Sequence, residues 1–257
     1  GAALASVLSW TLAFGAALWV LARRERMLDF GAPGVEALLA SWRSILRVGL
    51  PAAGTQVLTP VAAALLTRIV AEEGTAEVAA WGGGHRVEGL SLVGISALST
   101  ALTPFVGQNL GARRCDRLRA AMRFTLVAAL ADGAVVALAL AGLAGPVARA
   151  FNDDPEVVRW IKRFLWTVPP SYTLLGTLLL AASFYNGAQL PIRAALLSVV
   201  RLFVLGIPLA ALGAQLRGME GFLVGVATGN ALVGLFAIWM LRQLVARTTA
   251  ELEAARP

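Results

Sequence analysis

Blocks of roughly twenty apolar residues recur along this chain, and a block of that length constrains folding more than any other feature in it. A helix of about 20 residues is about 30 Å long, which matches the hydrocarbon core of a bilayer. At that depth no water is available to pair with the backbone, so each block has to satisfy its own N–H and C=O groups as a helix. Composition agrees. Hydrophobic residues make up 58% and charged residues 14%, against roughly 45–50% and about 25% in soluble domains. These features predict an all-α polytopic membrane protein.

Seven segments qualify as spans: Ala2 to Ala22, Val48 to Val70, Val78 to Leu110, Phe124 to Val147, Phe164 to Tyr185, Ala194 to Leu216 and Gly221 to Leu241. Between the first two lies a polar connector, Arg23 to Arg47, holding Gly31, Pro33 and Gly34 and then an amphipathic stretch around Val35 to Leu46. It is the expected domain boundary. Pro51 falls in the first turn of the second span, where a missing N–H costs little, and Pro60 falls in its interior, where a kink is expected. The third span is expected to be interrupted at Gly82, Gly83 and Gly84. Gly1 is read as following an earlier part of a longer chain.

Basic residues are biased to one side of these spans. Arg23, Arg24, Arg26, Arg43 and Arg47 share it with Arg113, Arg114, Arg117, Arg119 and Arg123, then Arg193, Arg242 and Arg247. The positive-inside rule makes that side, and the C-terminal tail, cytoplasmic. A net charge of +7 therefore reflects helix ends rather than a nucleic-acid surface, which would gather basic and aromatic residues into one patch. Cys115 and His85 are the single cysteine and histidine, so the chain can build neither an internal disulfide nor a zinc site of Cys and His ligands.

Several strings occur in order: Gly49-Leu50-Pro51 at the second span, Pro104-Phe105-Val106-Gly107-Gln108-Asn109-Leu110-Gly111-Ala112 closing the third, and Phe184-Tyr185-Asn186-Gly187-Ala188 after the fifth. Together they resemble the C-terminal lobe of the multidrug and toxic compound extrusion (MATE) transporters. The G-Q-N-x-G-A string followed by Arg113 and Arg117 is the most specific element. The resemblance implies a six-helix C-terminal bundle plus one preceding transmembrane helix. Residues 1–22 would be the last helix of an N-terminal lobe absent from this chain, 23–46 a cytoplasmic inter-lobe linker, 47–247 the C-terminal lobe and 248–257 a cytoplasmic tail. It also implies a multi-pass inner-membrane antiporter without cofactor. Such a protein exports amphipathic, often cationic small molecules by alternating access, coupled to sodium ions or protons.

Read for its physics alone, the loop motif ends a helix: Gly107 and Gly111 relieve backbone strain, and Gln108 and Asn109 can pair exposed carbonyls. Asn186 and Gly187 are placed with it as structural residues.

Ionisable groups inside spans are functional candidates by default. Asp132 lies mid-span, at an insertion cost of about 2.5–3.5 kcal/mol that its apolar neighbours can carry. His85, Arg86 and Glu88 cluster in the outer half of the third span; His85 and Glu88, three apart, share a helix face, whereas Arg86 and Glu88 do not. Arg201, inside the sixth span, either snorkels or pairs with a buried carboxylate such as Glu88. Gln56, Thr59 and Thr67 could line a cavity, although threonine hydroxyls also bond back to their own helix.

In one branch of the family, acidic residues on the seventh and tenth helices hold the coupling cation. Those places fall here at Thr59 and near Leu175 or Gly176, so either the coupling carboxylate lies on the absent first helix or Glu88 or Asp132 substitutes. Flippases for lipid-linked sugars would need a more basic cavity. A retinal pump would need a lysine in its last helix, and an intramembrane protease a second aspartate or a His85 and serine pair, with Ser91, Ser96 and Ser99 all on His85's own helix.

Overall fold

The computed structural model describes residues 2–25, 27 and 34–254. They form helices α1 (Ala2–Trp19, extended by a π-helical turn, Val20–Arg24), α2 (Val35–Ala71), α3 (Thr75–Ser91), α4 (Val93–Gly111), α5 (Cys115–Phe151), α6 (Pro155–Thr167), α7 (Tyr172–Gly187), α8 (Pro191–Val199) and α9 (Ile207–Ala254). A 3₁₀ turn at Pro169–Ser171 joins α6 to α7, and a π-helical segment, Val200–Gly206, joins α8 to α9. No strand occurs among the described residues.

The chain divides into two compact units, Gly1–Ala53 and Gly54–Pro257. In the first, large apolar side chains of α1 such as Trp10, at 77% exposure, stand open, as do Trp42 and Ile45 of α2. The expected break at Gly31 and Pro33, together with Arg26, lies outside the described residues. So do the side chains of Arg47, Pro51 and Gln56, although helix is continuous over the last three from Val35 to Ala71.

Among the described residues, four helical runs are long and apolar enough to cross a membrane, or five when α3 and α4, bent by 45°, count as one span. The second expected span contributes the shorter apolar helix Val57–Ala71. The sixth and seventh share the run Pro191–Glu251, whose 61 residues would extend about 90 Å as one helix. That run folds back. Arg217 and Gly218 leave helical geometry, Gly218 at φ +59°, and beyond them Gly221 meets Gly213 and Gly225 meets the Leu209 carbonyl so closely that neither has room for a β-carbon. Gly221, Gly225 and Gly229, spaced every fourth residue, let two antiparallel backbones touch, the usual route to helix pairing where lipid removes the hydrophobic drive.

α7 is the central helix of the second unit. Buried side chains surround it, from Tyr172 and Leu175 through Leu178 and Leu180 to Phe184 and Tyr185, as expected of a helix apolar all round. Glycines on its neighbours permit close approach: Gly133 of α5 lies against Thr173, Gly234 of α9 against the Leu174 carbonyl, and Gly187 of α7 itself against Thr103 and Val106 of α4. Hydrogen bonds fix the register. Thr177 donates to the Gly234 carbonyl at 3.2 Å and Tyr185 to that of Met240 at 3.0 Å. The hydroxyls of Ser99 and Ser183 share a bond, and Thr103 donates to the Ser183 carbonyl at 3.3 Å.

Three expectations need correction. Helix α3 runs unbroken through Gly82, Gly83 and Gly84, and the bend comes at Leu92. A β-carbon at Gly84 would sit 2.6 Å from the Phe164 ring, and one at Gly83 would touch Ile161 at 3.3 Å, so two of these glycines admit α6 rather than break α3. At the loop motif, the left-handed residue ending α4 is Arg113 (φ +52°), not Gly107 or Gly111. Arg114 N–H donates to Asn109 C=O and Arg113 N–H to Leu110 C=O, a Schellman closure. An identical pair of bonds ends α7, with Gln189 at φ +58°. Gly107 instead faces the Gly187 carbonyl, 3.3 Å from where its β-carbon would be. The two motifs thus meet as one helix contact. The third correction concerns Arg86, taken up below.

Candidate functional site

Where α2, α3, the π-helical segment and α9 converge, a cavity of about 80 Å³ is lined by Thr59, Trp81, His85, Glu88, Arg201 and Asn230, among others. Local sequence explains each placement. His85 and Glu88 are three apart on α3 and so share a face, while the wide turn of Val200–Gly206 carries Arg201. Wide π turns often accompany functional sites.

Glu88 is the hub. It is 7% exposed, and its carboxylate lies 3.6 Å from His85 Nδ1 and 3.7 Å from an Arg201 guanidinium nitrogen. Tyr172, at the start of α7, donates its hydroxyl to Glu88 Oε2 at 3.4 Å. A lone carboxylate at this depth would carry a desolvation cost of several kcal/mol, which an ion pair with additional hydrogen bonds can offset. Arg201 therefore pairs rather than snorkels. Asn230, also buried, donates to Ser171 at 3.3 Å beside this cluster. Trp81 lies 5.1 Å from His85 with the rings tilted by 32°, and meets Phe164 and Phe222 edge-on, forming the cavity's apolar wall. Its buried Nε1 has no hydrogen-bond partner among the described residues.

Other sequence candidates lie elsewhere. Arg86 is exposed and outside the Glu88 cluster, because one residue's rotation from His85 turns it to another face. Asp132 is half-buried on α5 with Oδ1 against Gly94, 3.0 Å from that glycine's ideal β-carbon, just after the bend at Leu92. Pro60 and Pro104 lie within α2 and α4. Asn109 is buried and donates to the Phe105 carbonyl at 2.8 Å, whereas Gln108 and Asn186 are exposed. Leu175 is fully buried and Gly176 packs on Ile95 and Ala129, so neither adds a polar group. Ser91 donates to its own helix at Val87 and Ser99 bonds Ser183, so neither pairs with His85.

Tyr172, Asn230 and Trp81 were not singled out from sequence. The readable signal was a phenol and an amide within or beside apolar spans, where either needs a partner.

At about 80 Å³ the cavity has the size of an ion or a few waters; drug-sized ligands occupy roughly 300–1,000 Å³. Comparison with known proteins agrees with a transport role. The MatE family model matches residues 51–212. A Shewanella oneidensis protein named FAD transporter is 32% identical over 254 residues, covering 98% of this chain and 56% of that protein. A probable multidrug resistance protein NorM of Halalkalibacterium halodurans is 26% identical, covering 95% and 54% respectively. The crystal structure of the Vibrio cholerae MATE transporter VcmN in the bent form superposes with a TM-score of 0.81 at 29% identity, covering 94% of this chain and 55% of that one. The chain spans about half the length of the curated relatives it matches. These relatives are membrane transporters, not enzymes, and the chain belongs to the MatE family of multidrug and toxic compound extrusion transporters.

Proposed function

We propose that this chain supplies the C-terminal lobe, residues 47–247, of a secondary antiporter in the inner membrane, with its C-terminus cytoplasmic. An N-terminal lobe completes the pathway, residues 1–22 being its last helix and 23–46 the linker. The protein exports amphipathic organic cations by alternating access, in exchange for sodium ions or protons.

One observation carries the reading: a buried carboxylate, Glu88, contacts groups from α7 and the π-helical segment as well as its own helix, beside a cavity of ion size. A carboxylate that exchanges Arg201 for a cation or proton alters the contacts joining these helices, and so couples ion binding to helix position. Asp132, half-buried and set against the α4 start at Gly94, is the second candidate. Export of a flavin dinucleotide is an alternative cargo, favoured by the 32% identity to the Shewanella FAD transporter.

Accumulation of a fluorescent organic cation, and separately of FAD, in cells expressing the intact protein tests both. Glu88→Gln is expected to abolish ion-dependent export of whichever cargo is carried. Unchanged export in Glu88→Gln and in Asp132→Asn would remove both residues from the mechanism.

A further inference from the structure

At the arginine-rich end of the second unit, far along the helices from Glu88, α7, α8 and α9 leave an open cleft of about 460 Å³. Tyr185, Arg193, Trp239, Gln243, Arg247 and Thr248 line it, with Glu251 at one edge. Arg193 and Arg247 come from different helices, and neither forms an ion pair within 4.0 Å among the described residues. Glu251 is one turn beyond Arg247 and does not pair with it either. The α8 N-terminus opens beside the cleft: Leu190 caps it with no side-chain bond, and Pro191 begins it. The helix dipole there adds to the positive field.

The cleft is amphipathic as well as basic. Trp239 is 57% exposed, Leu190, Met240 and Leu244 add apolar lining, and indole rings favour the level of lipid headgroups. Basic pockets between helices on the cytoplasmic side hold anionic headgroups. Gln243, Thr248 and Glu251 add groups able to bond hydroxyls. We propose that this cleft is a binding site for an anionic glycerophospholipid of the cytoplasmic leaflet, with the phosphate between Arg193 and Arg247 and a glycerol headgroup on the Gln243 and Glu251 side. The acyl chains lie along Leu190 and Trp239. Phosphatidylglycerol fits this chemistry, while a choline headgroup places a cation beside the arginines.

Native mass spectrometry of the intact protein in detergent, titrated with phosphatidylglycerol and then with phosphatidylcholine, tests the assignment. Phosphatidylglycerol is expected to remain bound and phosphatidylcholine to dissociate. The double variant Arg193→Gln, Arg247→Gln should weaken phosphatidylglycerol retention about thirtyfold, from the strength typical of two basic residues at an anionic leaflet. Arg242→Gln, an exposed neighbour outside the cleft, should leave it unchanged, which controls for loss of general surface charge. Inorganic phosphate at millimolar concentration should fail to displace the lipid; displacement would assign the site to free phosphate and overturn the lipid reading. Equal retention by the double variant, with its melting temperature intact, or equal binding of phosphatidylcholine would also overturn it. Should the double variant not fold, Arg247→Gln alone decides: unaltered retention of phosphatidylglycerol overturns the assignment.

Discussion

Substituting Gly187 by alanine should separate the two helices that the family's most specific motifs join. The added β-carbon would lie 2.5 Å from the Thr103 carbonyl oxygen and 2.8 Å from Val106 Cβ. Neither atom is the end of a flexible side chain, so α7 has to withdraw from α4 by roughly half an ångström or more in a close-packed interior. Overpacking of this kind costs about 1–3 kcal/mol, offset by about 1 kcal/mol of helix propensity gained over glycine. The net loss is about 0–2 kcal/mol, and the gap from a glycine-to-alanine change made without a clash is about 1–3 kcal/mol, or about 2–12 °C in melting temperature for a chain of this size. The Thr103 to Ser183 bond and the Ser99 to Ser183 bond stretch with it. Gly111→Ala is the control, because it has the same chemistry four residues beyond Gly107 with nothing within 4 Å. Thermal melts in detergent followed by circular dichroism compare the two. If Gly187→Ala melts with Gly111→Ala, the close approach of α4 and α7 is not as described here.

Gln189→Gly should raise the melting temperature, since a non-glycine residue at φ +58° carries strain of about 1–2 kcal/mol that glycine lacks; no change, or a decrease, would contradict the Schellman closure of α7. Arg201→Gln should destabilise, by up to about 3–5 kcal/mol, by leaving the buried Glu88 with only His85 and Tyr172 as partners, while the double variant Glu88→Gln, Arg201→Gln should recover part of that loss in the same melts. Strictly additive effects would mean that the pair does not interact.

The parts of this architecture that follow from one-dimensional patterning were legible in the sequence. Apolar length located most of the helices but not the amphipathic α6, and the polar breaks at Glu72 to Gly74 and Asn152 to Asp154 became the turns after α2 and α5. Asp154 caps α6 by accepting from the Glu156 N–H at 2.8 Å, with Pro155 at the first helical position. Spacing along one helix was also sufficient to pair His85 with Glu88.

Contacts between distant segments were not legible, because the same residue type serves opposite ends. A triple glycine reads as a helix break, yet Gly84 exists to admit the Phe164 ring. Gly107 and Gly187 read as separate helix terminators, and their shared contact depends on how α4 and α7 cross. Tyr172 enters the Glu88 cluster only because Pro169 and Pro170 turn the chain where α7 begins. Arg201 was traceable to Glu88 by the cost of an unpaired charge in the membrane, a constraint that acts at any sequence separation.

The central claim is that Glu88 and its partners line a pathway opened to each side of the membrane in turn. Thr59 lines the same cavity and is exposed, so a Thr59→Cys variant of the intact protein, with Cys115 replaced by alanine, reports access directly. Reacted with a membrane-impermeant thiol reagent in sealed vesicles of either orientation, Cys at this position should label from the outer face under one ion gradient and from the cytoplasmic face under the reverse. Labelling from a single face whatever the gradient would contradict the account.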